Sequence, residues 1–183
     1  MRRGRRSRNS LIPLFIAIVV VVLARTQSGR LVSGSSNPPR TDAGSSYKGK
    51  CVGISDGDTI KVMHLGREEK IRLWGIDCPE KKQAYGSVAK KFTSDKTFGK
   101  IVKVEVRDYD RYGRTVGSVI LPSGNSLNLA LVKTGLAWWY KQYAPNDFTL
   151  SKAEDQARTA KLGLWKDKSP TPPWEFRRER RKQ

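Results

Sequence analysis

The sequence contains one histidine, His64, and two cysteines, Cys51 and Cys78, in 183 residues. A zinc site built from such side chains needs four ligands, so one here would have to recruit carboxylates. Phosphoryl chemistry that depends on a pair of histidines is excluded. A Ser-His-Asp triad would have to use His64, which lies beside a hairpin signal, Leu65-Gly66-Arg67. Acid is also scarce. Seventeen Asp and Glu stand against 36 Lys and Arg, a net charge of +19. Catalysis in such a chain has to lean on carboxylates, arginines and an oxygen-liganded metal.

The basic excess is not confined to the ends. Between residues 47 and 173 there are 23 Lys and Arg against 14 Asp and Glu, a surplus of nine. A folded part that basic points to a polyanionic partner. The hydrophobic share of 37%, with five Trp, six Tyr and five Phe, suffices for a core.

The N-terminus carries Arg2, Arg3, Arg5, Arg6 and Arg8, then fourteen mostly apolar residues from Leu11 to Ala24. Residues 1–24 read as a signal peptide cleaved after Ala24. The rival reading is a membrane anchor through residues 11–24, with its basic end in the cytoplasm. The two give a secreted or periplasmic protein, or a membrane-attached one. Residues 25–46 form a linker in which Ser, Gly and Pro make up half the positions. Export would make a Cys51–Cys78 disulfide accessible.

The globular part is expected at 47–169, with a basic tail at 170–183. Val52 and Ile54, Ile60 and Val62, then Ile71 and Leu73 alternate with polar or small residues, as strands do. Ile101 to Val106 and Thr115 to Leu121 supply two more strands. Helices are expected at Gly86 to Phe98, with Val88 and Phe92 on one face, and at Ser126 to Thr134. A third is expected from a capping box at Ser151-x-x-Glu154, with Ala153, Ala157 and Ala160 inward. Five short strands with three helices between and after them suggest an α+β protein with a small Greek-key barrel.

Three clusters carry chemistry, and each lies at a strand end. They are Ser55-Asp56-Gly57-Asp58-Thr59, then Arg72 to Glu80 (RLWGIDCPE), then Asp110-Arg111-Tyr112-Gly113-Arg114. In this order they resemble the staphylococcal-type thermonucleases, over about residues 47–166. NLALVKTGLAWW and the later LGLW fit the same family. The resemblance implies a five-stranded OB-fold barrel with three helices. It implies a Ca²⁺-dependent nuclease on DNA and RNA that cleaves P–O5′ and leaves 3′-phosphate ends. Asp58 and Asp77 match the metal carboxylates, and the Cys78 backbone carbonyl matches a third ligand. Arg72 and Arg114 match the phosphate-binding arginines, and Glu80 the general base. Tyr112 and Tyr143 fall where family aromatics line the nucleotide pocket. Cys78 stands where the best-known family pattern has threonine, and the connection Lys81 to Ala84 is shorter.

The residue types suit the chemistry. Two carboxylates with water and a carbonyl make an all-oxygen site for a hard cation. Arginine offers a planar fork to two phosphate oxygens. Asp56 reads as a turn residue. Trp138-Trp139-Tyr140 supports two readings, base-stacking platform or core. The tail likewise supports either phosphate binding or simple solvation. No stable protein partner is inferred and a monomer is expected. The alternatives to an enzyme are a noncatalytic nucleic-acid-binding barrel and a structural or adhesion domain on the same fold. The intact set Asp58, Arg72, Asp77, Glu80 and Arg114 argues against both.

Overall fold

The computed structural model describes residues 41–182. The leader at 1–24 and the linker as far as residue 40 lie outside them. Among the described residues no helix is long and apolar enough to cross a membrane.

Strands β1 (Ser46–Asp56), β2 (Thr59–His64) and β3 (Arg67–Leu73) form an antiparallel meander. Strands β5 (Ile101–Tyr109) and β6 (Thr115–Ile120) form a hairpin. β6 runs parallel to β3, and β5 pairs antiparallel with β1, which closes a barrel in the order β1-β2-β3-β6-β5. Two-residue strands β4 (Ile76–Asp77) and β7 (Trp138–Trp139) pair separately. Helices α1 (Gly86–Thr97), α2 (Leu127–Lys133), α3 (Phe148–Thr159) and α4 (Pro173–Arg180) complete the fold. The expected barrel is present, with four α-helices among the described residues where three were expected.

Alternation fills the barrel. Ile60 and Val62, Ile71 and Leu73, and Val102, Val104 and Val106 are all buried. β1 departs from expectation: Tyr47, Gly49 and Cys51 point inward, while Val52 and Ile54 are half-buried. Its pairing with β2 shifts register between Cys51 and Gly53, and such a bulge reverses which residues face the core. Cys51 and Cys78 are both buried and both free.

α1 turns a different face inward from the expected one. Val88 is exposed, whereas Ala89, Thr93 and Thr97 are buried at four-residue spacing. The threonine hydroxyls are satisfied inside. Thr93 donates to the Gly57 carbonyl at 2.5 Å, and Thr97 to the Thr93 carbonyl at 2.7 Å. α3 begins earlier than its expected capping box. Asp147 is the cap and accepts from the Leu150 amide at 3.0 Å. Ser151 lies inside the helix, and Glu154 instead accepts from the Trp139 amide at 3.1 Å. Ala153 and Ala157 are buried as expected, but Ala160 caps the helix in solvent.

The basic tail beyond the expected globular part carries the fourth helix, α4. Pro173 opens α4 at a position that needs no amide hydrogen, and Trp174 on this helix packs edge-on to Trp138 of β7.

The turn between β1 and β2 is pressed against α1 and Cys78, the residue that follows β4. A Cβ on Gly57 would stand 2.8 Å from the Ala89 Cβ and 2.9 Å from both Cys78 Cβ and Sγ. Gly57→Ala is therefore expected to destabilise the fold by about 1–3 kcal/mol, the usual cost of overpacking. A lower urea midpoint with an unchanged slope would register it.

Candidate active site

Four chain segments meet where β3 runs out of the barrel. Asp58 ends the tight turn before β2. Arg72 is one residue from the end of β3, opposite Thr59 in the ladder. Asp77 lies on β4, whose partner residue is Trp138. Glu80 follows the buried Pro79 in the loop before α1.

Arg72 ties the carboxylates together. Its Nη1 lies 3.2 Å from Asp58 Oδ2, and its Nη2 lies 2.8 Å from Asp77 Oδ1. All three side chains are largely buried, at 15%, 8% and 2% exposure. Asp58 Oδ2 also accepts from the Cys78 amide at 2.6 Å. This bond joins the β1–β2 turn to the segment that carries Asp77. Burial lowers the basicity of Arg72, but Asp58 and Asp77 outweigh it and hold the guanidinium firmly protonated. Burial pushes the Asp77 carboxyl up, and Arg177 and Arg72 pull it back. Burial also pushes the Cys78 thiol up, reinforced by Asp58. Asp56 serves the turn, its Oδ1 accepting from the Asp58 amide at 3.3 Å. Burial and then the Asp58 charge raise its pKa.

The loop bearing Glu80 is held on both sides. Its amide donates to Gln83 Oε1 at 2.8 Å, and its carbonyl accepts from the Gln83 amide at 2.8 Å. Gln83 Nε2 reaches the Thr171 carbonyl at 3.0 Å. A Cβ on Gly86 would stand 2.1 Å from the Glu80 carbonyl oxygen, so only glycine permits this approach.

A fifth residue joins the group from far along the chain. Arg177 on α4 places Nη2 2.8 Å from Asp77 Oδ2 and Nη1 2.8 Å from Glu80 Oε1. Burial works against its charge, but Asp77 and then Glu80 raise its pKa further. The sequence singled out the basic C-terminus but not this residue. The nearest sequence cue is Pro172-Pro173-Trp174, a helix start with an aromatic, and it does not distinguish Arg177 from its neighbours.

Other expected residues lie apart from this cluster in their contacts. Arg114 bonds within its own turn, Nε to Asp110 Oδ2 at 2.6 Å. Burial would raise the Asp110 carboxyl, but the Arg114 hydrogen bonds outweigh it and lower it. Tyr112 and Tyr143 are 70% and 64% exposed. Tyr112 lies beside Arg114, whose guanidinium carbon is 5.7 Å from the ring centroid. Tyr143 packs against Tyr140 at 4.8 Å. Trp138 resolves to core, edge-on to Trp165 at 4.3 Å. The sole histidine is structural: it stacks on Tyr47 at 3.8 Å and meets Glu69 at 3.0 Å.

Buried acids bridged by a guanidinium where β3 leaves the barrel, on a strongly basic chain, give a polar site suited to hydrolytic chemistry on an anionic substrate. The family is the one described as Staphylococcal nuclease homologue, whose profile matches residues 70–167, and the chain belongs to it. An uncharacterized endonuclease of Escherichia coli O157:H7 is 43% identical over 129 residues, covering 70% of this chain and 84% of the relative. A micrococcal nuclease of Shigella flexneri is 39% identical over 141 residues, covering 72% and 81%. A staphylococcal-like nuclease CAN1 of Arabidopsis thaliana is 40% identical over 117 residues, covering 64% and 36%. The protein is a nuclease hydrolase, and its substrates are nucleic acids.

Proposed function

We propose that this nuclease is Ca²⁺-dependent and exported, and that it hydrolyses DNA and RNA without regard to the sugar, leaving 3′-phosphate ends. One observation carries the reading of the site: Asp58 and Asp77 are buried and bridged by the Arg72 guanidinium, with Glu80 joined to Asp77 through Arg177.

The donor set fits a hard divalent cation. Asp58, Asp77 and the Cys78 carbonyl would offer only oxygen; among the described residues no group of three or more His, Cys, Asp or Glu side chains is gathered closely enough to hold an ion by itself, so water and the carbonyl would have to complete the shell. Bound there, the ion would offset phosphate charge and supply an oriented, more acidic water. The chain's own residues do the rest. Glu80 takes the proton from the attacking water as its oxygen bonds to phosphorus. The P–O5′ bond breaks, and O5′ leaves as an alcohol once protonated from solvent. Arg72 and Arg114 hold the non-bridging oxygens, and their hydrogen bonds tighten as charge builds in the transition state. Tyr112 and Tyr143 flank the substrate with exposed rings. The basic leader followed by an apolar segment supports export.

Purified protein incubated with plasmid DNA, or with RNA, tests this on a gel. Degradation of both with Ca²⁺ and none with EDTA is the expected result. Binding without cleavage in Ca²⁺ would favour the noncatalytic barrel instead.

A further inference from the structure

Arg177 lies one hundred residues beyond Asp77 in the chain, yet it takes Asp77 on both oxygens. The helix that brings it is anchored. Trp174, one turn earlier, stacks on Tyr140 at 5.2 Å with planes 1° apart, and sits edge-on to Trp138 at 5.7 Å. Pro173 is buried, and Gln83 grips Thr171. The anchor is therefore aromatic and independent of the arginine head. The Arg177 side chain is 38% exposed, so its guanidinium can swing into water while the helix stays in place.

The oxygens it holds are those a metal needs. Nη2 sits on Asp77 Oδ2, and Nη1 sits 3.4 Å from Asp77 Oδ1 and 2.8 Å from Glu80 Oε1. A divalent cation on Asp77 would repel both guanidiniums there; Arg72 is fixed between Asp58 and Asp77 at 15% exposure, so Arg177, the more exposed of the two, is the one that can leave. Three acids, Asp58, Asp77 and Glu80, face two guanidiniums, Arg72 and Arg177. Removing Arg177 would leave two net negative charges, matched to a divalent ion.

We propose that Arg177 is the resident counter-cation of the metal carboxylates, which a divalent ion must displace from Asp77, so that α4 sets the metal concentration at which the nuclease loads. The inference rests on the reading that Asp58 and Asp77 hold the metal. Arg177 acts here through Asp77 and Glu80 and is a positioning residue.

Calorimetric titration of Ca²⁺ into the metal-free, full-length protein tests it. Arg177→Ala is expected to bind Ca²⁺ about tenfold tighter, since a charge-assisted contact no longer has to be broken. Arg177→Lys should fall between, because one ammonium keeps the charge but cannot span both acids. Arg178→Ala, exposed on the same helix, should match the wild type. In thermal melts Arg177→Ala should gain more from added Ca²⁺ than the wild type does. Arg177→Gln serves as a second variant that keeps the side-chain length. Unchanged or weaker Ca²⁺ binding in both Arg177→Ala and Arg177→Gln overturns the inference, provided that Asp77→Asn weakens binding. If Asp77→Asn leaves Ca²⁺ binding intact, the metal is held elsewhere, and both the inference and the reading beneath it fall.

Discussion

Glu80→Gln is expected to lower saturated turnover on DNA by about 10²–10⁴-fold, the usual cost of losing a general base. DNA affinity should stay close to that of the wild type. The substitution is nearly isosteric, and a glutamine oxygen can still accept from Arg177 as Glu80 Oε1 does at 2.8 Å. The loop should also keep its shape, because the backbone of residue 80 is held by Gln83 and by the close approach of Gly86. What is lost is the ability to accept a proton and one negative charge. Losing that charge at a phosphate-binding site does not weaken DNA binding, so with Ca²⁺ saturating for both proteins an effect on turnover alone isolates the proton transfer. Saturated turnover and DNA affinity measured in one buffer decide it. Near-normal turnover would mean that another group activates the water.

The same loop shows why the site was only partly legible in the sequence. Asp58, Arg72, Asp77 and Glu80 could be marked because each falls at a strand boundary inside a local motif. The structure brings these four together. Arg177 could not be marked. Its contact spans one hundred residues and depends on Trp174 finding Tyr140 and Trp138, which no local pattern encodes. The neighbouring arginines of α4 have the same composition but not the same position. Expectations about the tail therefore divide. Arg178, Arg180 and Arg181 are exposed and remain candidates for loose phosphate contact, while Arg177 belongs to the site.

The fold errors have a similar origin. Periodicity located all five barrel strands, because Ile60, Val62, Ile71, Leu73, Val102 and Val104 alternate cleanly and are buried. It failed on β1, where a bulge exchanges the inward and outward residues. It failed on α1, where the buried stripe is Ala89, Thr93 and Thr97. Threonine does not read as core in a sequence. It is admitted here because Thr93 satisfies the Gly57 carbonyl and so fixes the turn that presents Asp58.

Arg72 should give the second large effect, and on two measurements at once. Among the described residues it is the one cation that touches both buried aspartates, through different nitrogens of a single planar fork. Arg72→Ala would leave Asp58 and Asp77 short of a partner in a mostly dry site. Breaking a buried pair from one side costs about 3–5 kcal/mol. Arg177 still reaches Asp77, so Asp58 bears most of that loss. Chemical denaturation should show the midpoint fall. Arg72→Lys separates fold from chemistry. It keeps the charge, and with it part of the stability, but a lone ammonium cannot reach both acids and a phosphate together. Turnover in Arg72→Lys is expected to fall by about 10²–10³-fold, as when one preorganised donor to a transition-state oxyanion is lost. The comparison that matters sets the stability loss beside the turnover loss in the same protein. A lysine variant that is destabilised but turns over normally would make Arg72 a structural clamp on Asp58 and Asp77, and the grip on phosphate would have to come from another arginine.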